Sequence, residues 1–198
     1  MSRVLMWVAL AIALALSGCG TKVTRVGLDE QIDLSGNWND TDSRLVSEEI
    51  IKDMLRQPWL AKYYNASKNP PVLTVGEVKN LSHEHINTAT FIADIQRAVI
   101  NSGEAEFIAA RSDRVEARDE RREQDEYARE DTRKAMGQEI GADFIMNCDI
   151  STIIDNSGKT ALKYYQIDIK LTEILTNKIV WIGQKKIRKV VENAKIRL

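Results

Sequence analysis

The spacing of apolar residues along the chain predicts both α-helices and β-strands. Apolar positions recur on one helical face over about 43–57 and 88–100, which is typical of amphipathic helices. Alternating or β-branched runs predict strands at about 72–78, 106–110, 142–154, 160–174 and 178–190. Short turns separate the last three strands, which therefore form an antiparallel meander. The pattern predicts an α/β (α+β) domain, with a small mixed β-sheet flanked by helices.

Cap and turn residues set the expected ends of these elements. Asp42 or Ser43 precedes the first apolar face and is predicted to cap that helix, and Pro58 is predicted to end it. A further helix is expected over about 130–140, before Gly141. Its predicted buried residues are Thr132, Ala135, Met136 and Ile140.

The stretch 111–134 holds 17 charged residues out of 24 and neither Gly nor Pro. It predicts a charged helix over about 111–129 with too little apolar surface for a core element. The simpler interpretation is a solvated helix held by pairs four residues apart. The expected pairs are Arg121–Asp125, Arg122–Glu126 and Asp125–Arg129. The alternative is a surface that steers a partner, with Arg118, Arg121 and Arg122 as the candidate contacts.

Trp38 lies in a segment rich in Gly, Asn and Asp, residues 33–43. An aromatic side chain in such a loop can anchor a binding partner. It can also fix the N-terminal segment to the domain, and we favour that interpretation while keeping Trp38 as a candidate contact.

The N-terminus has the pattern of an export signal. One basic residue is followed by an apolar run from Val4 to Leu16, which is too short to span a bilayer and has the length of a signal-peptide core. The run ends in Leu16-Ser17-Gly18-Cys19, which resembles a bacterial lipobox. We therefore expect a signal peptide over 1–18, a lipid (diacylglycerol and palmitate) on Cys19, a tether over 19–35 and a periplasmic globular domain over 36–198. Gly20 after the cysteine favours the outer membrane.

Composition narrows the function classes. The 198 residues are 43% apolar and 29% charged, with a net charge of −1, which excludes a disordered chain and disfavours a nucleic-acid binder. Cys148 lies in an apolar run and is predicted to be buried. An acylated Cys19 would leave it without a disulfide partner.

Residues for catalysis are not evident. The only histidines, His83 and His85, fall in a polar loop without a third metal ligand. The Asp40-Thr41-Asp42 segment lacks the glycine of a calcium loop and is predicted to cap a helix. We expect no enzyme activity, no cofactor and no metal.

Several segments together resemble the LpoB-like lipoproteins, which activate penicillin-binding proteins. They are Asp33–Ser43, Arg118–Glu126, Gly137–Ile145, Tyr165–Leu171 and Thr176–Lys186. The resemblance covers about residues 33–190. It implies a domain related to the N-terminal domain of TolB and to CsgG, and a bifunctional peptidoglycan synthase as the partner.

The resemblance predicts a non-catalytic outer-membrane lipoprotein that binds and stimulates a penicillin-binding protein. The enterobacterial activator has a long Pro-rich linker that lets its domain reach through the peptidoglycan layer. The tether here is short, which limits how far this domain can extend towards an inner-membrane synthase. The alternative is a CsgG-like component of an envelope secretion or assembly complex. A ring-sized oligomer in light scattering would support that alternative.

Overall fold

A computed structural model describes residues 23–27 and 30–192 of the chain. The predicted signal peptide and Cys19 lie outside these residues. The helices are α1 (Asp40–Leu55), α2 (Pro58–Ser67), α3 (Thr88–Ser102) and α4 (Arg111–Tyr127). The strands are β1 (Val72–Leu81), β2 (Glu106–Phe107), β3 (Phe144–Ser157), β4 (Thr160–Glu173) and β5 (Ile179–Glu192). Within the described ranges, no helix has the length and apolar character needed to cross a bilayer.

The strands form one mixed sheet in the order β2-β1-β3-β4-β5. β1 runs parallel to both β2 and β3. β3, β4 and β5 pair antiparallel along nearly their whole length. This arrangement confirms the predicted α/β (α+β) class with a C-terminal meander.

The core lies between α1, α3 and one face of the sheet, here called the inner face. Because side chains alternate along a strand, every second residue of β3 and β4 points into this core. The inner-face residues that are buried include Phe144, Met146, Cys148, Ile150, Tyr165, Ile167, Ile169 and Leu171. From the helices, Val46, Ile51, Met54, Phe91, Ile95 and Val99 pack against them. The opposite, outer face carries half-buried and exposed side chains.

The predicted bounds of the first helix, about 43–57, are wrong at both ends. α1 begins at Asp40, because Asn39 caps it and forms a reciprocal capping box with Asp42. The predicted role of the Asp40–Asp42 segment in capping is thereby confirmed, although the cap residue is Asn39. Pro58 does not merely end α1 but starts α2, where its missing N–H and fixed φ suit the first helical position.

Helix α2 is held to the domain by aromatic side chains. Trp59 is buried, and its indole N–H donates to the carbonyl of Met54 at 2.8 Å. The rings of Trp59 and Tyr63 lie edge-on to Phe144, with centroids 5.1 and 5.2 Å away. These contacts place α2 beside the start of β3.

The helix predicted over 130–140 is absent: this range contains only turns and irregular backbone, and its residues are exposed. Gly137 adopts a positive φ of 76°, which interrupts a right-handed helix. The residues expected to be buried face solvent because the segment folds back along α4 instead of onto the core.

Strand lengths also differ from the prediction. β1 continues to Leu81 through an irregularity between Val75 and Val78. Gly76 sits in that irregularity, and a Cβ there would lie 2.3 Å from the side-chain oxygen of Asn147, so a residue without a side chain is required. β2 pairs over two residues only, because the chain turns into α4 at Arg111.

Candidate partner-binding surfaces

The residues before α1, 33–39, lie across the end of the sheet and are here called the N-terminal strap. Trp38 is half-buried in the strap, with its ring 6.1 Å from Phe91 and 5.8 Å from Tyr165, both edge-on. Gly36 has a φ of 68°, and a Cβ there would lie 2.2 Å from a methyl group of Val191. The strap is therefore packed closely against β4 and β5.

Glu84 joins the strap to the sheet. Its carboxylate accepts hydrogen bonds from the Trp38 N–H at 3.0 Å, the Lys163 ammonium at 2.8 Å and the Tyr165 hydroxyl at 2.9 Å. Burial alone would raise the pKa of Glu84, but the bonds from Lys163, Trp38 and Tyr165 outweigh it and the pKa is lowered. Burial raises the pKa of Tyr165, and the hydrogen bond to Glu84 raises it further.

Lys189 forms a second buried link to the strap. Its ammonium donates to Asp42 at 2.5 Å, to Asp33 at 2.6 Å and to the carbonyl of Asn37 at 3.1 Å. Lys189 and Asp42 are both buried, whereas Asp33 is exposed. The three bonds use every proton of the ammonium group, which satisfies a charge that would be costly to bury alone.

These contacts define what Trp38 does within the domain: it packs, and its backbone is fixed by Glu84. The compact unit begins at Ile32, a few residues before the predicted domain boundary at residue 36. A direct role for Trp38 in binding a partner stays a prediction.

The second surface is the charged arm, which consists of α4 and the returning residues 128–143. No residue of α4 is buried. Arg118 donates two hydrogen bonds to Glu139, at 2.9 and 2.7 Å, and Arg121 donates a third. The bonds from Arg118 lower the pKa of Glu139 to about 2, with Arg121 adding to the shift.

The ion pairs of the arm differ from those predicted. Arg122 pairs with Asp119, and Asp125 pairs with Arg133 across to the returning segment. The expected pairs Arg121–Asp125, Arg122–Glu126 and Asp125–Arg129 are absent from the described residues. Arg121 pairs instead with Glu139 of the returning segment, Arg122 with a carboxylate three residues earlier on the helix, and Asp125 with an arginine of the returning segment.

The arm therefore has two chemically different sides. Arg118 and Arg121 are half-buried against the arm's own returning segment, and Arg122 is exposed. The opposite side presents an acidic face, made of Asp113, Glu116, Glu120 and Glu123. Sequence reasoning singled out the arginines and missed this face, although its spacing of three and four residues follows the helical period.

An open cleft of about 510 Å³ lies between α1 and α3. Its apolar lining includes Ile51 and Ala98. Two of its arginines are paired on their own helices, Arg44 with Glu48 and Arg97 with Asp94. The cleft is thus lined by charges that are partly neutralised locally.

Cys148, His83 and His85 are the candidate residues for nucleophilic or metal chemistry, and they do not form a common site among the described residues. Cys148 is buried as predicted, and burial raises the pKa of its thiol to about 12. His83 and His85 are exposed in the loop after β1, where the His83 ring lies 3.2 Å from the Thr152 hydroxyl. Over the described ranges, no three His, Cys, Asp or Glu side chains are grouped to hold a metal ion.

Replacing Glu139 with Gln is expected to loosen the arm, because the change removes the charge that holds Arg118 and Arg121. Amide hydrogen exchange in α4 should accelerate about fivefold or more. The ion pair is intact above the ordinary pKa of a glutamate and is lost as the pH falls through about 2, so protection of α4 in the wild type should persist at pH 4.

Glu130→Gln is the matched control for the arm, because Glu130 is exposed and lies 4.0 Å from its one arginine partner, Arg133. Its exchange pattern should equal that of the wild type. Identical exchange in the Glu139 variant would mean that α4 is held by its own helix propensity.

Two solved bacterial structures are similar to this chain. The C-terminal domain of LpoB from Escherichia coli is 16% identical, with a TM-score of 0.41 over 71% of this chain and 97% of that chain. Lipoprotein GNA1162 from Neisseria meningitidis is also 16% identical, with a TM-score of 0.41 over 64% of this chain and 88% of that chain. No relative was found among curated protein sequences.

The family is established by its own sequence model. The model described as peptidoglycan-synthase activator LpoB matches residues 42–187, from the first turn of α1 to β5. The chain belongs to the LpoB family, and the predicted resemblance is confirmed. The family is one of regulators that act on a peptidoglycan synthase, and it is not a family of enzymes.

Proposed function

We propose that this protein is an outer-membrane lipoprotein, anchored through Cys19 and facing the periplasm. There it binds a bifunctional penicillin-binding protein and raises the rate of peptidoglycan synthesis. The proposed anchor rests on the lipobox-like segment that ends at Cys19. The observation that carries the action on a synthase is the family match over residues 42–187. It includes every element of the core and the whole charged arm.

The mechanism follows from the family, which consists of regulators of a peptidoglycan synthase. A protein of this kind acts by binding. A binding protein stimulates an enzyme only if it binds the active conformation more tightly than the inactive one. The contact surface therefore has to be rigid enough to discriminate between two shapes of the partner.

The charged arm is the surface that we assign to this contact. It projects charges of both signs outside the core, so it can pair with a partner without unfolding the domain. Arg122 is the most accessible of the three predicted arginines, with two thirds of its side chain exposed. Arg118 and Arg121 contribute by fixing the arm through Glu139.

The activity is tested by adding the full lipidated chain to the bifunctional synthases of the same cell envelope, and measuring glycan polymerisation from lipid-linked substrate. A stimulation of about fivefold or more is expected, within the usual range of coupling between two sites. If none of these synthases is bound or stimulated, the activator function is refuted.

The contact surface is tested separately by Arg122→Glu. Reversing this exposed charge should slow association with the synthase severalfold at low salt, with a smaller effect at high salt. Lys62→Glu makes the same charge change at an exposed position of α2 and should leave association unchanged. Equal effects of the two variants would exclude the arm and leave the family activity untouched.

The anchor is tested by metabolic labelling with palmitate and by density separation of the two membranes. Label is expected on the wild type in the outer-membrane fraction, and Cys19→Ser should lose it. A labelled Cys19→Ser protein would show that the acylated residue lies elsewhere.

A further inference from the structure

The outer face of the sheet carries an exposed apolar patch at one end. Its members lie at neighbouring register positions on four strands: Ile153 pairs with Tyr164, and Leu162 pairs with Val190. Leu81 lies at the end of β1, beside them. Ile153 and Val190 are each 65% exposed and Leu81 is 59% exposed. Contiguous apolar surface of this kind marks a contact site.

The residues around the apolar patch are of mixed charge. Lys186 and Arg188 of β5 lie on the same face, and the Arg188 guanidinium stands 5.8 Å from the centre of the Tyr164 ring. Asp155 and Glu192 lie at its outer margin. A tyrosine and an arginine beside exposed aliphatic side chains are typical of the boundary between lipid and water, since each has an apolar body and a polar tip.

The N-terminal strap lies at the same end of the sheet as this patch, on the inner face. Asp33 is bound to Lys189, the neighbour of Val190, and Gly36 lies against Val191. The compact unit begins at Ile32, which is 13 residues after Cys19. An extended chain of that length reaches at most about 45 Å. An acylated Cys19 would therefore leave this end of the sheet, with its patch, within reach of the bilayer.

We infer that the apolar patch rests on the phospholipid surface to which the chain is anchored. This inference builds on the proposed anchoring through Cys19. The tether holds the patch at a high effective concentration near the lipid, so even a weak affinity leads to contact. Ile153, Leu162 and Val190 enter the headgroup boundary, and Lys186 and Arg188 meet lipid phosphates. The contact orients the domain, with the turn between β4 and β5 directed away from the membrane.

A single cysteine at the patch tests the contact. The full lipidated chain with Ile153→Cys is placed in vesicles of phosphatidylethanolamine and phosphatidylglycerol at about three to one, a ratio chosen to resemble an anionic bacterial surface. The label is a charged maleimide that does not cross membranes. Cys19 is acylated in this protein, and Cys148 is buried with a raised thiol pKa, so neither competes for the label.

Ile182→Cys is the matched control. Ile182 is also an isoleucine on the outer face, is 61% exposed, and lies six residues along β5 from Arg188, which is about 20 Å. We expect the thiol of the Ile153→Cys chain to react about tenfold more slowly in vesicles than that of the Ile182→Cys chain, equivalent to about 1.4 kcal/mol. Adding Val190→Asp to the Ile153→Cys chain should restore the faster rate, because a charge replaces part of the apolar contact.

The outcomes separate this inference from the proposed function. Equal rates at the two positions, in chains that sediment with the vesicles, would overturn the membrane contact and leave the anchor intact. Chains that do not sediment would overturn both. Protection of the Ile153→Cys thiol that vanishes on dilution would assign the patch to a second copy of the chain. Protection that needs added synthase would assign it to that partner, and either result would overturn the lipid contact.

Discussion

Replacing Lys189 with Met is expected to lower the free energy of unfolding by about 3 kcal/mol, the lower end of the range for breaking a buried ion pair. The methionine fills a similar volume but leaves the Asp42 carboxylate buried without its cation. It also removes the donor to Asp33 and to the carbonyl of Asn37. Urea unfolding followed by circular dichroism measures the change.

Lys186→Met is the matched control, because Lys186 lies on the same strand with its side chain exposed. Its effect should stay within about 0.5 kcal/mol. Combining Lys189→Met with Asp42→Asn should recover part of the loss, since no unpaired charge then remains. Equal stability of the Lys189 and Lys186 variants would show that the buried ion pair is not a net source of stability.

Trp38→Ala is expected to destabilise the domain by about 3 kcal/mol, near the lower limit for removing a packed aromatic side chain, because Trp38 is only half-buried. The change empties the space beside Phe91 and Tyr165. The strap should then separate from the sheet more often, with faster amide exchange over residues 33–39. Thermal unfolding and hydrogen exchange measure the two effects.

Trp38→Phe separates packing from partner binding. Phenylalanine keeps an aromatic ring against Phe91 and Tyr165, and the bond from the residue 38 N–H to Glu84 is unaffected by the side chain. The variant should keep most of the stability and all of the synthase binding if Trp38 serves the fold alone. Normal stability with lost binding would instead show that the indole touches the partner.

Local patterns were sufficient to predict most of the sheet. The alternation of Tyr165, Ile167, Ile169 and Leu171 gives the inner face of β4 directly, and those residues are buried. The short turn at Asn156–Gly158 predicts the register of β3 and β4, because the length of a hairpin turn fixes which residues of the two strands pair. These features depend on residues close in sequence, where the physical rules are strong.

Elements that depend on context were not predictable in the same way. Pro58 can follow one helix or begin another, and the choice is made by Trp59, which is buried against Phe144. The segment 130–140 has helix-forming residues, but it does not pack on the core. Its Arg133 and Glu139 instead form ion pairs with Asp125 and Arg118 of α4. In both cases a distant neighbour decides between two locally acceptable structures.

The candidate site was predicted only in part. The charge density of the arm is visible in the sequence. The direction in which the Arg118 and Arg121 side chains point is not, because it depends on Glu139. Glu139 is placed there by the fold of the returning segment. The pairing of Lys189 with Asp42 spans 147 residues. No spacing rule connects residues that far apart, because their proximity is a result of the whole sheet topology.

The link between the strap and β5 has a consequence for the order of folding. Asp33 precedes Lys189 by 156 residues, so the beginning of the domain leaves the ribosome long before the strand that holds it. The meander can assemble from local pairings, which close quickly. The strap reaches its partners on β5 only when that strand is in place, so we expect its closure to follow the assembly of the meander.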